Sequence, residues 1–285
     1  MTKRTGVIGH PLGHSISPAI FAAAFEAAGI DATYEAWPTP SDALEGRVNS
    51  LRSGDFLGAN VTVPHKTDIV PLLDETDDIA SKARAVNTIV HRDGKIIGYN
   101  TDVAGFARSL REDAGFDAKA KATMVLGSGG AARAVALALI EAGARVIYVV
   151  ARQPRKLERT VLDLKPLTPP GTTISWAYWG DGSFLRSLAE TDLLVNCTPV
   201  GTAGSESAGK PVIDPALIQP KTTVFDLVYN PLETPLVAAA KSRGANAYSG
   251  LGMLVYQAAE SFRLWTGKDA DTRLMLAAGR KALEA

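Results

Sequence analysis

The spacing of apolar positions predicts strands alternating with helices over almost the whole chain. RTGVIG (4–9) is a short apolar run ending in Gly9 and reads as a buried strand. SPAIFAAAFEAAG (17–29) follows with helical spacing, because Ile20, Phe21, Ala24, Phe25 and Ala28 fall on one face. Ser17 is expected as its N-cap, Pro18 in its first turn and Gly29 as its terminator. A strand around 33–37, a helix within 41–53 and the strand ANVTV (59–63) continue the alternation, and Pro64 stops that strand. AVNTIVHRDGKIIGYN (85–100) is two apolar runs around Asp93-Gly94, a hairpin signal.

Beyond residue 103 the rhythm is stricter. Strands rich in Val, Ile and Leu are expected at 123–127, 145–150, 174–179, 193–198 and 222–229, with helices at 130–143 and 154–165. Near-continuous apolar strands alternating with helices indicate a parallel, doubly wound Rossmann-type sheet, covered on both faces. The segments 251–266 and 271–283 read as helices, and no strand-rich unit follows them. They are expected to return to the first domain. The pattern thus predicts an α/β protein of two domains, residues 1–104 plus 247–285 and residues 105–246.

Composition narrows the partners. With 285 residues, 46% of them hydrophobic, the chain can bury a core large enough for two domains. Thirty basic residues balance thirty acidic ones, for a formal net charge of zero, so neither nucleic acid nor a membrane surface is expected as a partner. The single cysteine, Cys197, excludes an internal disulfide framework and fits a reducing compartment. MTKRTGVIGHPLG at the start has no apolar signal core, and no run approaches transmembrane length. A soluble, cytoplasmic protein is expected, with monomer and homodimer both open.

Gly127-Ser128-Gly129-Gly130-Ala131-Ala132 has the form G-x-G-x-x-A, directly after an apolar strand and opening an Ala-rich helix. There the first glycine makes a tight turn and the second lets the backbone approach a pyrophosphate. The small residue at 132 permits close helix packing, and the helix N-terminus faces the anion. The bland alternative is a Gly-rich turn without ligand. NAD sites usually place Asp or Glu at the end of the second strand, for the ribose 2′-hydroxyl. This chain offers Ala151, Arg152, Gln153, Arg155 and Lys156 instead. Guanidinium groups suit a 2′-phosphate, so NADP is the expected cofactor, against the alternative of a solvated basic helix start.

Hydride transfer to a carbonyl needs a proton donor beside the oxygen. Lys66, Asn87 and Asp102 are candidates on the loops of the first domain. A lysine beside a carboxylate in a partly dry cleft can shuttle a proton if its pKa is brought toward neutrality. Taken alone, Lys66 also reads as a surface lysine and Asp102 as a helix N-cap. Spacing does not show that they meet.

Eight separate stretches carry a family resemblance: GHPLGHSISP (9–18), NVTVPHK (60–66), AVNT (85–88), NTDVAGF (100–106), GSGGAAR (127–133), NCTPVG (196–201), DLVYNPLETPL (226–236) and GLGMLVYQAAESFRLWTG (250–267). In this order the chain resembles the shikimate dehydrogenase family, along essentially its whole length. The resemblance implies NADPH-dependent reduction of 3-dehydroshikimate to shikimate, in aromatic amino acid biosynthesis. It implies Lys66 as the catalytic residue paired with Asp102, and Ser15 and Ser17 on the substrate carboxylate. Asn60, Thr62, Asn87 and Gln257 would hold ring hydroxyls, with Tyr229 at the substrate's edge. For the cofactor it implies Gly127, Ser128, Gly129, Gly130 and Ala131 on the phosphates and Arg152, Gln153 and Arg155 at the 2′-phosphate. Asn196, Thr198, Val200, Gly250 and Met253 would lie at the nicotinamide end.

The departures are specific. Phe21-Ala22 stands where many members carry His-Asn, so the helix behind the two serines is expected to pack differently. Ala151-Arg152-Gln153 stands where members often carry Asn-Arg-Thr, and Ser128 replaces a common alanine. His10 and His14 are four apart, but Pro11 and Gly13 forbid the helix that would aim both at a metal, so no metal site is expected. His65 and His91 have no partner visible in the sequence. Cys197 ends an apolar strand and reads as a packed small residue. The rival readings are a quinate or mixed quinate/shikimate dehydrogenase using NAD, a non-catalytic ligand-binding relative and a folate-linked dehydrogenase. The pair Ser15 and Ser17, the retention of Lys66 with Asp102, and HSISP respectively speak against them.

Overall fold

A computed structural model gives the protein's structure and describes residues 2–13 and 15–284. The chain divides into two compact units, residues 1–105 plus 255–285 and residues 106–254.

The first unit begins with β1 (Lys3–Gly9), α1 (Ser17–Ala28), β2 (Ala32–Pro38), α2 (Leu44–Ser50) and β3 (Gly58–Val61). It continues with β4 (Glu75–Thr76), α3 (Asp78–Ala83) and the hairpin of β5 (Thr88–Arg92) and β6 (Lys95–Tyr99). Its sheet has the order β2-β1-β3-β5-β6-β4, with β1 parallel to β2 and β3, and β5 antiparallel to β3 and β6. Ile8, Ala59, Val61, Ile89 and Ile96 from these strands pack against Leu44 and Val48 of α2.

The second unit contains β7 (Ala122–Leu126), α5 (Gly130–Glu141), β8 (Val146–Ala151), α6 (Pro154–Leu164), β9 (Thr173–Tyr178) and α7 (Gly182–Ala189). After them come β10 (Leu193–Asn196), β11 (Thr223–Asp226), α8 (Pro235–Ser242) and β12 (Ala247–Ser249). All pairings are parallel, in the order β12-β11-β10-β7-β8-β9. Numbered from β7, this is the doubly wound order 3-2-1-4-5-6, whose reversal between β7 and β10 is where such sheets receive ligands. The central strands β7, β10 and β11 are buried at every position, as their apolar sequences require. The connecting helix α4 (Asp102–Glu112) leaves the first unit, and α9 (Leu251–Thr266) returns to it before α10 (Thr272–Glu284).

Several local expectations need correction. Ile16, not Ser17, is the N-cap of α1, and no side chain caps that end. Ser17 instead begins the helix and is buried. β3 ends at Val61 rather than Val63, while the helix expected within 41–53 is present as a 3-10 turn followed by α2. Phe21 is fully buried and stacks on Tyr34, with ring centroids 4.2 Å apart and planes 7° from parallel. It also leans on Phe25 and Trp265. A phenyl ring gains about 1.5–3 kcal/mol from such burial, whereas an imidazole there would need a hydrogen-bond partner.

Gly58 tests how tightly this unit is closed. Trp265 Nε1 donates to the Ile89 carbonyl at 2.8 Å. A Cβ on residue 58 would lie 2.0 Å from that oxygen and 2.5 Å from Nε1. Gly58→Ala is therefore expected to cost about 1–3 kcal/mol, read as a lower urea midpoint. Gly54→Ala, where a Cβ meets nothing within 4 Å, is the control and should stay within about 0.5 kcal/mol of wild type. Equal midpoints for the two variants would contradict the packing.

Candidate active site

The end of β3 is fixed before its functional side chain appears. Val61 N–H donates to Asn87 O at 2.8 Å and Thr62 N–H to Ile8 O at 2.8 Å. The chain then turns through a cis Val63-Pro64 peptide, with His65 N–H donating back to Thr62 O at 2.9 Å. His65 is fully buried and its Nε2 lies 2.6 Å from Thr39 O, so it has the partner that the sequence did not reveal. His91 likewise meets Phe56 O through Nδ1, at 3.3 Å. The carbonyl of Lys66 accepts from Val86 N–H at 2.7 Å. The lysine backbone is thus tied to the segment that leads into β5.

Lys66 and Asp102 meet. Nζ donates to Asp102 Oδ2 at 2.5 Å, with the side chains 14% and 4% exposed. Asp102 is the first residue of α4, where the helix dipole favours negative charge. Its second oxygen accepts from Asn87 Nδ2 at 2.9 Å. The carboxylate therefore serves the lysine and the amide rather than acting only as an N-cap. A carboxylate held on a lysine with little water around it can steady an ammonium that gives and retakes a proton.

Behind this pair lies a buried polar network. Asn87 Nδ2 also reaches Thr101 Oγ1 at 2.8 Å and Gln257 Oε1 at 3.1 Å, while its Oδ1 accepts from Thr101 N–H at 2.7 Å. Asn60 accepts from Tyr34 OH at 2.9 Å and donates to Ser261 Oγ at 2.9 Å and to Thr88 Oγ1 at 3.1 Å. With Asn87 O as a further acceptor at 3.2 Å, both N–H groups of Asn60 are taken up inside the protein. Gly105 lets α9 come close: a Cβ there would lie 2.8 Å from the backbone nitrogen of Gln257.

Tyr34, Thr88, Thr101 and Ser261 are members of the network that sequence reasoning missed. Thr88 and Thr101 sit inside the AVNT and NTD stretches, and Ser261 is one turn after Gln257 on the same helix, so a signal for these three existed. Tyr34 had none beyond strand alternation. Of the other substrate-side candidates, Ser15 and Thr62 are half-buried and Ser17 is buried, with Ser17 N–H donating to Ser15 Oγ at 3.4 Å. His14, and with it the His10–His14 pair, lies outside the described residues.

In the second unit, Gly127 has φ 121°, with the Cys197 carbonyl 3.3 Å from where a Cβ would stand. A Cβ on Gly129 would meet nothing within 4 Å, so the protein's own packing does not demand glycine there. Open space before α5 is what a close-lying pyrophosphate needs. Thr160 Oγ1 donates to Ser128 O at 3.1 Å, and Gly130 and Ala131 open the helix. Ala132 is buried, as close packing of that helix requires. Arg152, Gln153, Arg155 and Lys156 are exposed around the start of α6, with no acidic residue in its first turn. Among the described residues none of these three cations forms an ion pair, which leaves their charge available to a phosphate.

Asn196 is 0% exposed and bonded within the protein. Its Oδ1 accepts from Thr198 N–H at 3.0 Å and Thr198 Oγ1 at 2.7 Å, while its Nδ2 donates to Asp226 at 2.8 Å. Burial pushes the Asp226 carboxyl up to about 6, against the opposing bonds from Thr234, Val228 and Asn196. Burial likewise raises the Tyr229 phenol. Thr198 and Val200 share one turn, whose sole cysteine, Cys197, is half-buried. Met253 is buried at the start of α9, and Gly250 precedes it where a Cβ would strike Leu227 O at 2.1 Å. Among the described residues there is no group of three His, Cys, Asp or Glu side chains able to hold a metal, and no helix long and apolar enough to cross a membrane.

The chain is similar to known proteins along nearly its whole length. Residues 7–89 match the shikimate dehydrogenase substrate binding domain, and residues 250–278 the shikimate 5′-dehydrogenase C-terminal domain. The shikimate dehydrogenase (NADP(+)) of Desulforamulus reducens is 40% identical over 96% of this chain and 93% of its own. That of Methanopyrus kandleri is 42% identical over 96% and 93%. The solved structure of shikimate 5-dehydrogenase from Thermus thermophilus, in complex with NADP(H) and shikimate, aligns at 38% identity with a TM-score of 0.85, covering 99% of this chain and 100% of that one. Identity at this level, sustained over nearly the full length of both partners, shows that the chain belongs to the shikimate dehydrogenase family.

Proposed function

We propose that the protein reduces 3-dehydroshikimate to shikimate with NADPH, and runs the reverse oxidation with NADP. The observation that carries the reading is the Lys66–Asp102 contact at 2.5 Å in a nearly dry setting. When bound, NADPH supplies the hydride to the carbonyl carbon. Lys66 supplies the proton to the carbonyl oxygen, and Asp102 holds the ammonium in line and stabilises it when the proton returns. The reaction therefore leaves Lys66 one proton short, to be replaced from solvent.

The remaining roles follow from chemistry. Ser15 and Ser17 bind the carboxylate of the substrate, and Thr62, Asn87 and Gln257 bind its ring hydroxyls. Asn60 supports Asn87 from behind. An analogue lacking a hydroxyl would leave such groups unpaired, which is how a neutral hydrogen-bonding pocket selects a polyol. Residues 1–105 plus 255–285 act as the substrate domain and residues 106–254 as the cofactor domain. In the latter, the glycine turn receives the pyrophosphate, and Arg152 and Arg155 receive the 2′-phosphate, with Gln153 beside them. Thr198, Val200, Gly250 and Met253 belong to the nicotinamide end.

One absorbance assay at the nicotinamide band, with shikimate or quinate and NADP or NAD, tests the reading. Shikimate with NADP should give the fastest turnover, and quinate with NAD as the best pair would overturn it. Lys66→Ala and Asp102→Ala should each lower kcat by roughly 10²–10⁴, and near-normal turnover in Lys66→Ala would contradict the assignment.

Ser15→Ala should raise KM for shikimate while the nucleotide KM stays nearly unchanged. A nucleotide defect with normal shikimate binding would refute its placement.

Loss of a charge-assisted contact weakens binding by roughly 10- to 150-fold, so Arg152→Ala should raise KM for NADP at least about tenfold and leave the weak NAD reaction alone. An equal effect on both nucleotides would show that Arg152 does not read the 2′-phosphate.

A further inference from the structure

Asp226 is a fully buried carboxylate to which neither the family resemblance nor the reaction gives a task. It ends β11, in register with Asn196 on β10 and Ser249 on β12, and Asn196 is in register with Leu126 at the end of β7. It therefore stands at the carboxyl edge of the sheet, one strand from the topological reversal. The groups bonded to it are uncharged donors. Asn196 Nδ2 lies 2.8 Å from Oδ1, Val228 N–H 3.1 Å from Oδ1, and Thr234 Oγ1 2.6 Å from Oδ2. Burying an anion among neutral groups is costly, and packing alone would be served by an apolar side chain. Three donors answer the charge, and the Asn196 amide among them leads out to a neighbouring turn.

The path to that turn runs through Asn196. A side-chain amide has a donor end and an acceptor end of nearly the same shape, so its neighbours decide which way it faces. A carboxylate can only accept, and it forces the NH₂ of Asn196 toward residue 226 and the carbonyl oxygen toward residue 198. That oxygen then receives the Thr198 N–H and hydroxyl, and Thr198 Oγ1 accepts from Val200 N–H at 3.3 Å. The turn 196–200 is thus shaped by a relay of hydrogen bonds that starts at one carboxylate. Thr234 anchors the other end: it donates to Asp226, and its Oγ1 accepts from Val237 N–H at 3.1 Å as the cap of α8.

We infer that Asp226 is a positioning residue for the cofactor: through Asn196 it fixes the Thr198–Val200 turn in the shape that receives the nicotinamide end of NADP. The inference rests on the proposed function for what the turn receives, and on the hydrogen bonds alone for what shapes the turn. Thr234 holds Asp226 in turn, so α8 is coupled to the same turn.

The test uses the full chain and two readouts. Cys197 lies inside the turn and is the only cysteine, so its modification by a disulfide reagent such as Ellman's reagent reports the turn's order without any ligand. In Asp226→Ala the ligand-free protein should react about tenfold faster than wild type, as expected for loss of a charge-assisted bond, and its Kd for NADP should rise by a similar factor. KM for shikimate is not the discriminating readout, because Tyr229, expected at the substrate's edge, directly follows Val228, whose N–H Asp226 also holds. Asp226→Asn keeps an acceptor for Asn196 and should give intermediate values, which keeps the test open if the alanine variant does not fold. An unchanged Cys197 rate in either folded variant overturns the inference. So does a faster rate with unchanged NADP affinity. Failure of wild-type protein to bind NADP would instead refute the cofactor role of the turn, leaving the thiol rate to judge the relay alone.

Discussion

A charge placed almost out of water has to be answered by a partner and by hydrogen bonds to every remaining lone pair. In the first unit that constraint falls on Asp102. One oxygen takes the ammonium of Lys66 and the other the amide of Asn87, so the carboxylate, the lysine and the asparagine are placed together or not at all. Removing one partner of such a pair typically costs about 3–5 kcal/mol, whereas an exposed ion pair is worth about 0–1. The Arg4–Glu35 pair at the surface is of that second kind. The buried pair helps fix Asn87, which in turn donates to Gln257 Oε1 and Thr101 Oγ1 and accepts from Thr101 N–H.

The same rule acts in the second unit on a smaller scale. Asp226 has no cation among its bonded partners, only a hydroxyl, an amide and a backbone N–H, and burial keeps its carboxyl high as a result. The parallel sheet brings Asn196 and Asp226 into register at its carboxyl edge, where backbone geometry leaves room for ligands. A fold argument and a charge argument thus meet at one pair of residues. Outside the sheet, Arg152, Arg155 and Lys156 are exposed and unpaired among the described residues, which suits an anion brought from solution.

Much of this was legible in the sequence because it is periodic or local. Buried apolar strands such as TMVLG and LLVNCT identify a parallel sheet, and Asp93-Gly94 marks the hairpin turn. Lys66 and Asp102 were visible as candidates, but their meeting was not, since it joins residues 36 apart. Tyr34 and Ser261 escaped for the same reason: they reach Asn60 across 26 and 201 residues. The direction in which a side chain points was the other illegible quantity. Asn196 lies in a recognisable stretch, yet it turns into the protein, because a neighbouring carboxylate from another strand claims its amide. Ser17 has the composition of a cap, yet it enters the helix because Ile16 already occupies the capping position.

The central claim is that Lys66 and Asp102 act as one unit, and a double-mutant cycle on kcat measures that directly. Groups that work on the same step are strongly non-additive. If the account holds, the protein carrying both Lys66→Ala and Asp102→Ala is no more than about threefold slower than the slower single variant. If the two losses multiply instead, the residues act independently and the contact at 2.5 Å is only structural.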